Sequence, residues 1–137
     1  MVMADSFNFE LVSPERLLVS GSVSEVVIPA TEGEMTVMAN HAPTMTTIKP
    51  GIVTVKFADG KKDRYVVFGG FADIIPTGCT LLAESAVPAD EVKSDEITRR
   101  IEAARAELAH AKSDDQKYGI ETYLAELTTL QGIVVPV

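Results

Sequence analysis

A single cysteine, Cys79, no tryptophan and only two histidines leave this 137-residue chain little of the side-chain chemistry that small enzymes and metal proteins rely on. One cysteine cannot close an intramolecular disulfide, which fits a reducing compartment. His41 and His110 have no Cys or His at metal-ligand spacing, and a zinc site needs about four ligands, so no metal is expected. The sequence carries no Gly-rich lysine loop, no GxGxxG and no G-x-S-x-G pattern. Cys79 with His41 is the one nucleophilic pair on offer. Cys79, however, opens the apolar run Thr80-Leu81-Leu82-Ala83, where a small buried thiol is the expected role. Neither enzymatic turnover nor a cofactor is expected.

Long hydrophobic runs are missing as well, since none approaches the ~18–20 residues that a membrane-spanning helix needs. The stretch Met1–Val12 lacks the basic start and unbroken apolar core of a secretory signal. A soluble, cytoplasmic chain that can sit on a membrane complex is the expectation. Basic residues are also scarce: 12 Lys and Arg oppose 20 Asp and Glu, for a net charge of −8. Such a surface repels phosphate backbones and anionic headgroups, which argues against nucleic acid as a partner. Residues 1–86 and 87–137 each hold ten acids and six bases, so the charge is spread and does not form an acidic tail. What is present in quantity is hydrophobic side chain, 46% against 23% charged, enough for a real core in about one domain with a short appendage.

The hydrophobic pattern changes character near Pro88, which divides the chain into residues 1–87 and 88–137. In the first part, short runs rich in Val, Ile, Thr and Phe are cut by turn signals every ~8–12 residues, the mark of an all-β sandwich or barrel. Strands are read at Phe7–Ser13, Leu17–Val23, Glu25–Pro29, Glu34–Met38, Thr44–Ile48, Ile52–Phe57, Arg64–Gly69, Phe71–Ile75 and Thr80–Ala86. Asp59-Gly60 supplies the positive φ of a tight hairpin. Lys49-Pro50-Gly51 and Pro76-Thr77-Gly78 read as reversing turns. Gly69-Gly70 marks a bulge, at a barrel corner or where a ligand meets the backbone.

In the second part the period becomes helical. Ile97, Ile101, Ala104, Leu108 and Ala111 share one face of a helix capped by Ser94 or Asp95. Lys112-Ser113-Asp114-Asp115 interrupts it and offers a new cap, from which a second helix starts. That helix carries Ile120, Tyr123, Leu124, Leu127 and Leu130 on one face and ends at Gly132 and Pro136. The two form an antiparallel helical hairpin, which needs a surface to pack on.

Two stretches suit partner contact. Thr31 to Pro43 combines Glu32 and Glu34 with Met35, Met38 and the Asn40-His41-Ala42-Pro43 turn. It reads either as a hairpin whose methionines fill core gaps or as a flexible, Met-bearing binding rim. Arg99, Arg100 and Arg105 form a basic patch on the first helix, either solvated or set to meet phosphate or an acidic partner.

At these residues the sequence resembles the epsilon subunit of bacterial F-type ATP synthases. The resemblance runs over residues 7–87 through Glu10-Leu11-Val12-Ser13-Pro14-Glu15-Arg16 with Ser20-Gly21, Glu32-Gly33-Glu34-Met35 to Asn40-His41-Ala42-Pro43, Ile48-Lys49-Pro50-Gly51, Gly69-Gly70-Phe71-Ala72-Asp73, and Thr80-Leu81-Leu82-Ala83-Glu84-Ser85-Ala86. It implies a ten-stranded flattened β-sandwich followed by the two-helix hairpin. It further implies a non-catalytic rotor component, peripheral on the cytoplasmic face of the bacterial inner membrane. Its sandwich would grip the gamma subunit and seat on the polar loops of the c-ring. By position, Glu34, Met35, Asn40 and His41 fall on the segment that faces the c-ring.

The hairpin resembles the family's regulatory element, which reaches the catalytic alpha and beta subunits in some members and binds ATP in others. Ile101-Glu102-Ala103-Ala104-Arg105-Ala106 is similar to the family's nucleotide motif with Glu102 in place of Asp. This makes Ile101, Glu102 and Arg105 the candidate nucleotide residues, while an alternative register that aligns Thr98 and Ile101 abolishes the motif. The second helix has no Arg or Lys after Lys117, so weak or absent inhibition by the hairpin is expected. A stand-alone nucleotide-sensing or adapter module is the alternative function.

Overall fold

The computed structural model describes residues 6–134, which form two compact units divided between Ala89 and Asp90. The first holds seven strands: β1 (Phe7–Val12), β2 (Leu17–Ala30), β3 (Gly33–Met38), β4 (Thr44–Phe57), β5 (Lys62–Ile75), β6 (Gly78–Ala83) and β7 (Ala86–Pro88). Three of them, β2, β4 and β5, are 14 residues long. Their pairing closes on itself, because β1 lies parallel to β6 and antiparallel to β2 while β6, β5, β4 and β2 follow one another antiparallel. β3 adds to the free side of β2, and β7 pairs with the start of β5.

The count of ten strands is corrected to seven. Ten is reached only when each long strand is counted as two halves, and the sequence breaks at Ser24, at Lys49-Pro50-Gly51 and at Gly69-Gly70 fall where those halves meet. The chain bends there without leaving the hydrogen-bonded ladder. Inward-facing residues change parity at each bend: Val19 and Val23 precede Val26 and Ile28 in β2, Ile48 precedes Val53 and Val55 in β4, and Tyr65 and Val67 precede Ala72 and Ile74 in β5. A one-residue shift in an alternating strand exchanges its faces, so each bend re-phases the pleat and both halves still feed one core.

Lys49-Pro50-Gly51 is therefore not a reversing turn. Pro50 pairs with Phe68 and Gly51 with Val67, inside β4. A Cβ on Gly51 would stand 2.6 Å from Pro29 Cβ, so the glycine is needed where β2 crosses close. Asp59-Gly60 does turn the chain, with Gly60 at φ +96° and the Lys61 amide donating to Asp59 Oδ1 at 3.0 Å. Pro76-Thr77 also turns, between β5 and β6. The interior is built by Phe9, Leu11, Val23, Val26, Ile28, Val53, Val55, Ile74 and Leu81, all fully buried.

The second unit begins within a short 3-10 turn at Ala89–Glu91 and holds α1 (Ser94–Ala109) and α2 (Asp114–Val134). Lys93, and not Ser94 or Asp95, stands at the N-cap of α1 and makes no side-chain cap bond. Asp95 and Glu96 lie within the first turn, where negative charge complements the helix dipole. α2 is capped as its sequence suggests: the Gln116 amide donates to Ser113 Oγ at 3.1 Å, and Gln116 Oε1 accepts from the Lys112 amide at 2.9 Å. The helix continues through Gly132 to Val134, past the stop read from the sequence, because a lone glycine weakens a helix without ending it. Pro136 lies outside the described residues. Ile97, Ile101, Ala104, Leu127 and Leu130 are buried, and Gln131 Nε2 donates to Thr98 Oγ1 at 3.0 Å, tying the end of α2 to the start of α1.

Candidate functional site

The segment proposed for partner contact is built on β3, an edge strand that among the described residues pairs only with β2. Alternation places Met35 and Val37 toward the core and Glu34, Thr36 and Met38 outward. The two methionines thus divide between the alternative readings: Met35 packs against the core, while Met38 is 53% exposed. Glu34 pairs with Pro29 and Met38 with Glu25, and four steps of about 3.3 Å put them ~13 Å apart. Asn40 and His41 follow at the Met38 end. The four residues are therefore strung along one free edge and do not converge on a pocket.

Each end of that edge is fastened. At the Glu34 end, Thr31 Oγ1 and Thr47 Oγ1 are 2.6 Å apart and the Thr31 amide donates to the Thr47 carbonyl at 3.0 Å. At the other end the Asn40 amide donates to the Pro76 carbonyl at 2.9 Å, with Asn40 itself at φ +65°, a left-handed value that asparagine tolerates. His41 Nδ1 lies 2.8 Å from the Ala42 carbonyl. A carbonyl only accepts, so Nδ1 carries the proton in that bond and Nε2 is the acceptor of the neutral ring.

A second surface went unread in the sequence. On the outward face of four neighbouring strands, Met45 of β4 sits opposite Asp73 of β5, Asp73 opposite Thr80 of β6, and Thr80 opposite Glu10 of β1. The adjacent row runs Thr47, Phe71, Leu82 and Val12. Met45 is 70% exposed, Phe71 41%, Ile75 48% and Leu82 42%. Large apolar side chains grouped on one sheet face mark an interaction site. The available signal was Ile74-Ile75 and Leu81-Leu82, adjacent apolar pairs that strict alternation against a single core does not produce.

Cys79 faces the core, 2% exposed, and burial first and the nearby Asp73 charge second push its thiol up from 9.0 to about 12. At neutral pH it is a protonated thiol and not a nucleophile. Because the thiol is protonated in both folded and unfolded chains below pH 9, its effect on stability appears only above that. Between pH 9 and about 12 the unfolded chain loses the proton first, and stability falls. Urea titrations across that range should show a steeper alkaline loss in the parent chain than in Cys79→Ala. Equal slopes would contradict this assignment.

Of the candidate nucleotide residues, Ile101 is buried, whereas Glu102 and Arg105, three apart and therefore neighbours on the surface of α1, are exposed. In the basic patch, Arg100 reaches Glu96 at 3.8 Å and Arg99 Nε donates to the Asp95 carbonyl at 3.3 Å. Among the described residues no group of three or more His, Cys, Asp and Glu side chains is placed to hold a metal ion, and no helix is long and apolar enough to cross a membrane.

A closed, bent-strand β unit followed by two helices, with an exposed apolar sheet face and a polar free edge, defines a docking subunit class. The family profile described as "ATP synthase, Delta/Epsilon chain, beta-sandwich domain" matches residues 6–89, more than half of the chain. An ATP synthase epsilon chain from Rhizobium johnstonii is 72% identical over 132 residues, covering 96% of this chain and 98% of the relative. One from Rhizobium meliloti is 71% identical over 134 residues, covering 98% and 99%. Among solved structures, a chain of the Euglena gracilis mitochondrial ATP synthase (OSCP/F1/c-ring) aligns with a TM-score of 0.71 at 28% identity, covering 94% of this chain and 81% of that one. A chain from the Tetrahymena thermophila ATP synthase central stalk and c-ring shares the fold, with a TM-score of 0.66 at 12% identity. The chain belongs to the ATP synthase epsilon chains.

Proposed function

We propose that the chain is a non-catalytic rotor subunit of a proton-translocating F-type ATP synthase, passing c-ring rotation to the gamma shaft. The observation that carries this reading is the exposed apolar face of β4, β5 and β6, which suits a lasting protein contact, standing beside a polar free edge that suits a wetter one. The apolar face takes the gamma subunit. The β3 edge and the turn after it, with Glu34, Asn40 and His41 outward and Met35 packed beneath them, meet the polar loops of the c-ring. Through those contacts the chain sits peripherally on the cytoplasmic face of the bacterial inner membrane. Residues 1–87 do the gripping and residues 88–137 are an accessory hairpin.

The direct test is co-purification of the full chain with the gamma subunit. Stable capture is expected; failure, together with ATP binding by the isolated chain, would instead favour a nucleotide sensor. The hairpin is a weak brake on this reading, because the last turn of α2 carries no basic residue for acidic loops of the catalytic subunits. Deleting residues 88–137 should leave ATP hydrolysis by the assembled complex within about twofold of the parent, as expected when no strong charge-complementary dock is lost. A several-fold rise would overturn that part.

A further inference from the structure

The apolar face of β4, β5 and β6 is not uniformly apolar. At its centre runs the cross-strand row Met45, Asp73, Thr80, Glu10, and on either side of it lie Phe71, Leu82 and Val12 above and Ile75 below. Two carboxylates thus stand on opposite sides of Thr80, separated by two strand spacings, about 10 Å. A cleft of about 320 Å³ opens beside Asp73 on the Ile75 side of this row, lined by Asp73, Asn8, Ile75, Thr77 and Thr80 and not by Glu10, with room for one long side chain that reaches the row past Asp73.

The rows that hold Asp73, Glu10, Phe71 and Leu82 supply no cation of their own. The bases of the β unit are Arg16 in the β1–β2 turn, Lys49 at the bend of β4, and Lys56, Lys61, Lys62 and Arg64 around the β4–β5 hairpin. Among the described residues no ion pair reaches Asp73 or Glu10. In the free chain this costs nothing, since Asp73 is exposed and Glu10 half-buried. Once a partner covers the apolar frame, both carboxylates lose water, and an unpaired charge at the centre of an interface is strongly unfavourable.

We infer that Asp73 and Glu10 are the specificity determinants of this face, selecting a partner surface that presents one Lys or Arg side chain between them, inside a ring of apolar contacts. The occupant is the gamma subunit, so the inference rests on the function proposed above. A partner that brought only apolar groups would bury two negative charges. One that brought an acid would meet repulsion as well. The apolar ring contributes affinity, and the central row selects which apolar surface is accepted.

The test measures binding of the full chain to a gamma-containing catalytic sector from which this chain has been removed, at about 50 and about 500 mM salt. The parent should bind more weakly at high salt. Asp73→Asn with Glu10→Gln, which keeps shape and removes charge, should bind roughly tenfold or more weakly at low salt and lose most of the salt dependence. Asp73→Glu should retain binding, and circular dichroism should show all variants folded. If the parent binds while the double variant matches it in affinity and salt slope, the central cation is wrong and the gamma contact stands. If the parent fails to bind, the gamma reading falls and this inference with it.

Discussion

Gly70→Ala is expected to destabilise the β unit by about 3 kcal/mol or more, lowering its melting temperature by roughly 10–20 °C. Gly70 sits at φ +139°, a region closed to residues with a side chain. Space is closed as well. A Cβ there would collide with the Leu82 carbonyl oxygen and stand 2.9 Å from Ala83 Cα, both backbone atoms of the paired strand β6. No rotamer relieves a clash with backbone, so β5 and β6 must separate at the bend that re-phases β5. Gly21→Ala is the control. Its Cβ would meet nothing within 4 Å and its backbone is not left-handed, so a change within ~1 kcal/mol is expected. Thermal unfolding followed by circular dichroism separates the two, and equal melting temperatures would show that the bend tolerates a side chain.

Removing the Phe71 and Leu82 side chains together, as Phe71→Ala with Leu82→Ala, should weaken capture of the gamma subunit on the order of a hundredfold. The two are cross-strand neighbours, 41% and 42% exposed, and they form the middle of the outward apolar row. Truncating two adjoining large side chains beside the central row opens the face to water, and interface energy concentrates in a few large, water-excluded side chains of this kind. Neither side chain belongs to the core, so stability should change by less than ~1 kcal/mol. Binding within about twofold of the parent, with the fold intact, would move the gamma contact to another face.

The sandwich-plus-hairpin plan was legible because each part carries its own period. Alternation in Phe7, Phe9 and Leu11 matches their burial in β1, and the spacing of Ile97, Ile101 and Ala104 matches the buried face of α1. Ser113 was readable as a cap and Asp59-Gly60 as a turn, since both depend on neighbours within a few residues. Pro50 and Gly132 misled for the complementary reason. At Pro50 the stop signal is outweighed by strand pairing with Phe68, far along the chain, and at Gly132 a lone glycine weakens the helix without ending it.

The candidate sites divide along the same line. Segment composition alone drew attention to Glu34, Met35, Asn40 and His41, yet only the pairing of β3 with β2 places the first two on an edge strand, and only the Asn40–Pro76 bond fastens the turn that carries the others. The face of Met45, Phe71, Ile75 and Leu82, with Asp73 and Glu10 at its centre, draws on β4, β5, β6 and β1, from Glu10 to Leu82 in the chain. Sequence by itself determined the two modules, the cap of α2, the Asp59-Gly60 turn and the apolar stripe of each element, because these arise from interactions over a few residues. Tertiary structure alone decided that the long strands continue through their bends, and which outward residues become neighbours. Strand register and ring closure are long-range pairings, and no local period encodes them.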